Sequence, residues 1–228
     1  MISTKRAIGS ILADGSRRAS QLVGQNSEQW AMHVKGLEMP GYEPRSLKTM
    51  ALGLAVSTRG ACHNRSSAYE ADFSAKVDRL TVDETRGRIT MEGEDFSSVL
   101  DSLIWCKFLR KAFDNFYAES ATIYEQLTGW PMTPVQLRKA GERINNLKKL
   151  FNIREGWKRA DYTLPPRILK EQLTDGVVDS VTLCQEDLDM MISDYYFERG
   201  WTNDGLIPES KLAELQLTNI GTSSVHAS

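Results

Sequence analysis

Between Phe96 and Leu127 the apolar positions recur three and four residues apart: Val99, Leu100, Leu103, Ile104, Phe108, Leu109, Phe113, Phe116, Tyr117, Ile123 and Leu127. That period predicts helix, and the run is long enough for two, ended by Gly129 and Pro131. Next comes Thr133-Pro134-Val135-Gln136, which has the chemistry of a helix start. Threonine caps, proline suits the first helical position, and the glutamine three residues on completes a capping box. Leu137, Ala140, Ile144, Leu147 and Phe151 then repeat at helical spacing and are expected to form the buried face. The stretch from Arg154 to Pro166, with Gly156 and two prolines, is expected to be a loop. An amphipathic helix is expected over Gln185 to Arg199, with Leu188, Met191, Ile192 and Tyr195 inward and Gly200 as its stop. A short last helix is expected from about Glu209 to Leu215.

The N-terminal third is less regular. Ile11, Leu12, Ser16, Ala19 and Leu22-Val23 carry helical spacing, closed by Gly24. The glycines and prolines between Met32 and Arg45 forbid a long helix and predict a short extended piece with turns. Met50 to Ser57 is small and apolar, fit for close helix packing, and breaks at Gly60. Phe73 to Glu94 is polar and mixed, and Asp83-Glu84-Thr85-Arg86-Gly87 within it reads as a surface turn. The tail from Thr218 to Ser228 is polar and small and is expected to be disordered, leaving residues 1–217 as the folded domain. Strand-like alternation is scarce, so the fold class is mainly α: an irregular helical domain.

Composition narrows the function. The 228 residues hold 28 lysines and arginines against 30 aspartates and glutamates, a net charge of −2. A nucleic-acid binder should show a basic excess, so that partner is not expected. Residues 1–65 lean basic, which suits a local anionic ligand. No apolar run approaches the ~20 residues of a membrane span, and no secretory leader is evident. Three cysteines set far apart make no disulfide framework, and a reducing, cytoplasmic location is the simplest expectation.

Two segments carry candidate chemistry. In Asp101-Ser102-Leu103-Ile104-Trp105-Cys106-Lys107-Phe108 a carboxylate and a thiol share a short apolar run that reads as helix. A lone cysteine in such a run is ordinarily a packed core residue, but Asp101 five residues earlier is costly there unless paired. A helix-capping role is the competing reading for Asp101. Lys107, beside the thiol, is placed to lower its pKa or to pair with an anion. In the second segment His63 lies in a glycine-bearing turn between Arg59 and Arg65. Forked hydrogen bonds from the arginines suit an anionic group, and the imidazole suits proton transfer near neutral pH. The competing reading is a surface loop with solvated arginines. His33 is expected to hydrogen-bond within its own turn, and His226 lies in the tail. No zinc, P-loop, dinucleotide or nucleophile-elbow motif is present.

Several longer runs then fall into one order. Val34-Lys35-Gly36-Leu37-Glu38-Met39-Pro40-Gly41-Tyr42-Glu43-Pro44-Arg45 resembles the V-K-G-L-E-x-P-x-Y-[DE]-P-R signature of aldehyde:ferredoxin oxidoreductases. Matches at Arg59 to His63, Asp101 to Phe108, Phe151 to Gly156, Asp161 to Pro165 and Tyr195 to Trp201 follow in family order. The resemblance runs from about Ile11 to Leu217 and implies the helical C-terminal domains of that family.

In that family a tungsten ion is held by two pterin dithiolenes beside a [4Fe–4S] cluster, and an aldehyde is oxidised to a carboxylic acid with ferredoxin as electron acceptor. By the resemblance Asp101 hydrogen-bonds a pterin and Cys106 is a cluster ligand, with Ile104 where the family often has glycine. The family's histidine and the cation after it, near the metal and pterin, fall on His63 and Arg65, which are expected to assist proton transfer and to bind the cofactor; Lys107, from its place beside the thiol, is a further cofactor-binding candidate. The run from Ser57 to Tyr69 is similar to the branch that includes tungsten benzoyl-CoA reductases. The family's N-terminal domain and its C-x-x-C-x-x-x-C group lie outside the resemblance. It therefore implies a fragment, one piece of a split enzyme, or a truncated product, inactive alone and needing an N-terminal partner chain or domain. Homo-oligomer formation is compatible with this. The competing expectation is a catalytically silent helical interaction domain.

Overall fold

The computed structural model describes residues 1–75, 77–174 and 180–218. Eleven helices account for most of them: α1 (Gly9–Leu12), α2 (Gly15–Val23), α3 (Lys48–Val56), α4 (His63–Ser66), α5 (Tyr69–Asp72), α6 (Thr85–Ser102), α7 (Phe116–Thr128), α8 (Pro134–Arg154), α9 (Pro166–Lys170), α10 (Gln185–Arg199) and α11 (Glu209–Glu214). One two-residue hairpin, β1 (His33–Val34) with β2 (Leu37–Glu38), pairs antiparallel with Val34 opposite Leu37. Its turn uses left-handed backbone at Lys35 (φ 53°) and Gly36 (φ 88°). Gly36 N–H donates to His33 Nδ1 at 3.3 Å, so that histidine serves its own turn.

Helix α6 is the axis, touched by α10, α8, α4 and α3. Glycines permit two of these crossings. A methyl on Gly87 would stand 2.5 Å from the Tyr195 nitrogen of α10, and one on Gly141 of α8 would stand 2.5 Å from the Asp95 carbonyl of α6. Helix α3 is buried along its whole length. It packs with Leu188, Met191, Ile192 and Tyr195 of α10 and with Tyr162, Leu164 and Ile168 into the main core. A second core joins Val99 and Leu100 of α6 to Phe116, Tyr117 and Ala121 of α7 and Leu137 of α8.

A buried charge network ties α6 to α10. Arg199 donates to Glu94 at 2.7 Å and to Asp95 at 2.6 Å, while the Tyr195 hydroxyl donates to Glu94. Glu94 is buried, which pushes its carboxyl up, and Arg199 opposes that.

Three expectations need correction. Residues 83–87 are no surface turn: α6 already begins at Thr85, and Arg86 is fully buried. Its guanidinium donates to Thr49 Oγ1 at 2.7 Å, to the carbonyls of Asp78 (2.7 Å) and Thr81 (2.9 Å) and to Asp83 at 3.1 Å, with the Asp72 carboxylate 3.7 Å away, which offsets the burial of a charge that hydropathy would place in water. In α8 the apolar spacing misidentifies the inner face. Leu147 and Phe151 are exposed, whereas Gly141, Asn145, Asn146, Lys149 and Asn152 are buried beside Leu137. Each asparagine is partnered: Asn145 with Asp95 (2.7 Å), Asn146 with the Trp201 indole (2.8 Å), Asn152 with the Thr58 carbonyl (2.8 Å). The Phe96–Leu127 run contains the end of α6 and α7 up to its last residue but one, and a non-helical stretch with one 3₁₀ turn (Lys107–Lys111) separates them, where Cys106 lies. Between Arg154, the last residue of α8, and Pro166, the first of α9, the chain is irregular apart from a 3₁₀ turn at Arg159–Asp161. The tail expectation falls, beyond Thr218, outside the described residues.

Candidate functional site

Helix α6 ends in a way that presents its last residues outward. Leu103 closes the helix, Trp105 N–H donates to the Leu100 carbonyl at 3.0 Å, and Ile104 N–H donates to the Asp101 carbonyl at 3.2 Å. This pair of bonds is a Schellman closure, which demands a left-handed residue at its turn. Ile104 fills that position at φ 59°. Glycine is the low-cost residue there, because a β-branched side chain in left-handed backbone is strained. Trp105 turns inward against Phe113, with ring centres 5.3 Å apart. Cys106 emerges exposed and is a free thiol, with Ile104 and Phe108 on either side 90% and 87% exposed. The cysteine is therefore neither helical nor a packed core residue.

The second segment comes from α3. The chain leaves α3 at Ser57, turns at Gly60, and starts the short helix α4 at His63 behind the buried Cys62. The imidazole lies beside Tyr42 (ring centres 5.7 Å apart) and Tyr69 (6.0 Å), which stack on each other at 5.3 Å. Burial lowers the His63 pKa, and the positive charges of Lys107 and Arg59 lower it further. The ring is thus held neutral at physiological pH.

These two segments meet. Arg65 donates to Asp101 at 3.0 Å, an ion pair that leaves both side chains partly open to solvent. Asp101 lies in the last turn of α6, so it is not a helix cap. Lys107 donates to the Asn64 carbonyl at 2.7 Å and to Ser97 Oγ at 3.2 Å. Burial lowers its pKa, partly offset by Asp101. Arg110 pairs with Glu70 and donates to the Lys107 carbonyl at 2.7 Å. Of the residues singled out in the sequence, His63, Arg65, Asp101 and Lys107 are thus brought together, and Cys106 is tied to them as the chain neighbour of Lys107. Sequence reasoning missed Arg110 and the Tyr42–Tyr69 stack. Tyr42 sits in the signature run, but only the fold brings it to the imidazole.

An anionic, pterin-type group fits this face in sign and in donors. Four cations (Arg59, Arg65, Lys107, Arg110) stand against two acids (Asp101, Glu70), and guanidinium forks suit phosphate and carboxylate-like acceptors. A cluster would find one open thiol. Among the described residues no three His, Cys, Asp or Glu side chains gather into a metal-binding set, so any further ligands have to come from other residues.

Known proteins are similar to this chain in sequence and in fold. A family model described as "Aldehyde ferredoxin oxidoreductase, domains 2 & 3" matches residues 1–217. The tungsten-containing aldehyde ferredoxin oxidoreductase of Pyrococcus furiosus is 33% identical over 218 residues, which is 94% of this chain and 35% of that protein. The enzyme of the same description from Thermococcus kodakarensis is 31% identical over 218 residues, again 94% of this chain and 35% of its own length. The chain therefore spans about a third of the length of the curated relatives it matches. Among solved structures, the active site complex BamBC of benzoyl coenzyme A reductase, in complex with 1,5-dienoyl-CoA, superposes with a TM-score of 0.76. That match has 21% identity and covers 96% of this chain and 38% of the other, and shows a shared fold.

Proposed function

The chain belongs to the aldehyde ferredoxin oxidoreductase family, in the part described as domains 2 and 3, and from that premise we propose that it supplies one wall of a tungsten–pterin, iron–sulfur centre. The complete assembly would oxidise an aldehyde to a carboxylic acid and pass electrons to ferredoxin, in keeping with relatives that are aldehyde ferredoxin oxidoreductases. The observation that carries this reading is the meeting of His63, Arg65, Asp101 and Lys107, with the exposed Cys106 next to Lys107 in the chain, inside a match that runs through residues 1–217.

Bound tungsten and cluster supply the two-electron chemistry and its exit route. This chain's residues do the positioning. Asp101 would hydrogen-bond a bound pterin, with Arg65 holding the carboxylate in place at 3.0 Å. Arg65 and Lys107 would neutralise negative charge on the cofactor. His63, neutral and buttressed by Tyr42 and Tyr69, takes a proton at its free ring nitrogen and returns it. Cys106 would offer one thiolate to the cluster. The remaining ligands come from an N-terminal partner chain or domain, and the exposed Ile104 and Phe108 beside the thiol suit being covered by it. A partner subunit is also in keeping with a structural relative that is itself a complex.

The test is co-expression with a partner carrying a C-x-x-C-x-x-x-C group, followed by iron and tungsten analysis. Cys106→Ala is expected to lower cluster iron while the two chains still copurify. Unchanged iron would remove the ligand role. Stoichiometric tungsten and iron in the chain purified alone would overturn the need for a partner.

A further inference from the structure

Away from that face, the segment after α8 folds back over the helix and leaves a cavity of about 430 Å³. Lys149, Trp157, Lys158, Arg159 and Leu206 are among its walls, with Asp204 as its acid. The size is within the range of about 300–1,000 Å³ typical of small-molecule sites. Arg159 is already paired with Asp189 at 2.7 Å. Lys149 differs. It is 2% exposed, yet no carboxylate pairs with it among the described residues. Its ammonium donates to the Tyr162 hydroxyl at 2.8 Å and sits 4.0 Å from the centre of the Tyr162 ring and 4.9 Å from that of Trp201.

A second ammonium backs the first. Lys35 lies 4.3 Å from the Tyr162 ring centre and 5.2 Å from Trp157, donating only to backbone carbonyls at Ala55 and Ser57. Burial brings both lysines down to about 7. Each is pushed further by a neighbouring cation: Lys35 by Lys149, and Lys149 by Arg159. Glu94 and Asp161 oppose this only from a distance. A buried positive charge with aromatic rings but no counter-ion is costly, and an anion that enters beside it recovers that cost. The rest of the wall is apolar: Ile153, Ala160, Leu206 and the Trp157 ring.

We propose that this cavity binds a small organic carboxylate with a flat apolar body, its ring against Trp157 and Leu206 and its carboxylate toward Lys149. Lys149 supplies the counter-charge to the carboxylate, while Ile153, Ala160, Leu206 and the Trp157 ring hold a flat apolar body that a bare inorganic anion lacks.

Benzoate is the probe, titrated calorimetrically into the full chain in slightly acidic buffer, with inorganic phosphate as a parallel arm. Benzoate is expected to bind and phosphate not to. Two substitutions should each weaken benzoate by at least about tenfold. Lys149→Met removes the counter-charge. Leu206→Glu sets a repelling carboxylate at the mouth, where the leucine is 50% exposed and the fold tolerates change. If Lys149→Met fails to fold, Leu206→Glu decides. Absence of benzoate binding to the folded chain, binding unchanged in Leu206→Glu, or phosphate binding as tightly as benzoate would overturn the proposal.

Discussion

Ile104 shows how one backbone angle sets the candidate site. The helix must stop at Ser102 for Cys106 to leave the core, and the Schellman closure that stops it puts Ile104 at φ 59°. The side chain is 90% exposed and gains nothing from packing, so its strain is uncompensated. Left-handed backbone costs an L-residue about 1–2 kcal/mol, from which glycine's unfolded-state entropy subtracts part. Ile104→Gly should therefore stabilise the chain by about 1 kcal/mol, a rise of about 2–4 °C in melting temperature at this size. A lowered midpoint would show that isoleucine is held there by a contact made elsewhere. Lys35 and Lys149 lead to a second residue-scale expectation. Their folded pKa of about 7 lies below the ordinary 10.5. Between those limits the unfolded chain binds more protons than the folded one. Stability from these two groups is thus lowest below about pH 7 and rises as pH climbs toward 10.5. Lys48 and Lys148, also lowered by burial, act in the same sense. Thermal melts from neutral to mildly alkaline pH check this, and Lys149→Met should flatten part of the slope.

At the scale of elements, local signals and packing divide the work. Thr133 caps α8 with the full reciprocal box: Gln136 N–H donates to Thr133 Oγ1 at 3.2 Å, and Thr133 N–H donates to Gln136 Oε1 at 2.8 Å. Both partners are exposed, so Thr133→Ala should cost about 1 kcal/mol and speed amide exchange in the first turn, without moving the helix. The stop of α10 at Gly200, left-handed at φ 67°, was equally readable. The face that α8 buries was not. Hydrophobic spacing ranks Leu147 and Phe151 inward, but Asn145, Asn146, Lys149 and Asn152 take that side because Asp95, Trp201, Tyr162 and the Thr58 carbonyl wait for them. The same crossing explains a prediction at Gly141. A methyl there meets the Asp95 carbonyl at 2.5 Å, so Gly141→Ala should force α8 away from α6. Overpacking of this kind costs about 1–3 kcal/mol, despite alanine's better helix propensity. Urea denaturation of the variant measures it.

The whole molecule is held by polar links between elements distant in sequence as well as by its apolar cores. Arg199 of α10 is 1% exposed and binds Glu94 and Asp95 of α6 more than a hundred residues away. Removing one partner of such a buried pair strands the other charge, at a cost of about 3–5 kcal/mol. Arg199→Met is therefore expected to unfold the chain or lower its denaturation midpoint severely, with Glu94→Gln in the same chain restoring part of the loss. An Arg199→Met protein as stable as the parent would mean that α6 and α10 are joined by apolar packing alone. The candidate site depends on this frame. His63 hangs from α3 and Cys106 from the end of α6, and only their shared packing brings Arg65 to within 3.0 Å of Asp101.

What the sequence determined by itself was local or written in long ordered matches. The helical class, the cap at Thr133, the stop at Gly200, the extended turn around His33 and the family resemblance all rest on neighbours in the chain. What the tertiary structure alone decided was which polar side chains go inside and which apolar ones stay out. Arg86, Lys149 and Arg199 are buried while Ile104, Phe108 and Phe151 are exposed, the reverse of their hydropathy. The reason is physical: a charge enters the core when distant residues supply its hydrogen bonds or aromatic faces, and no local period records those partners.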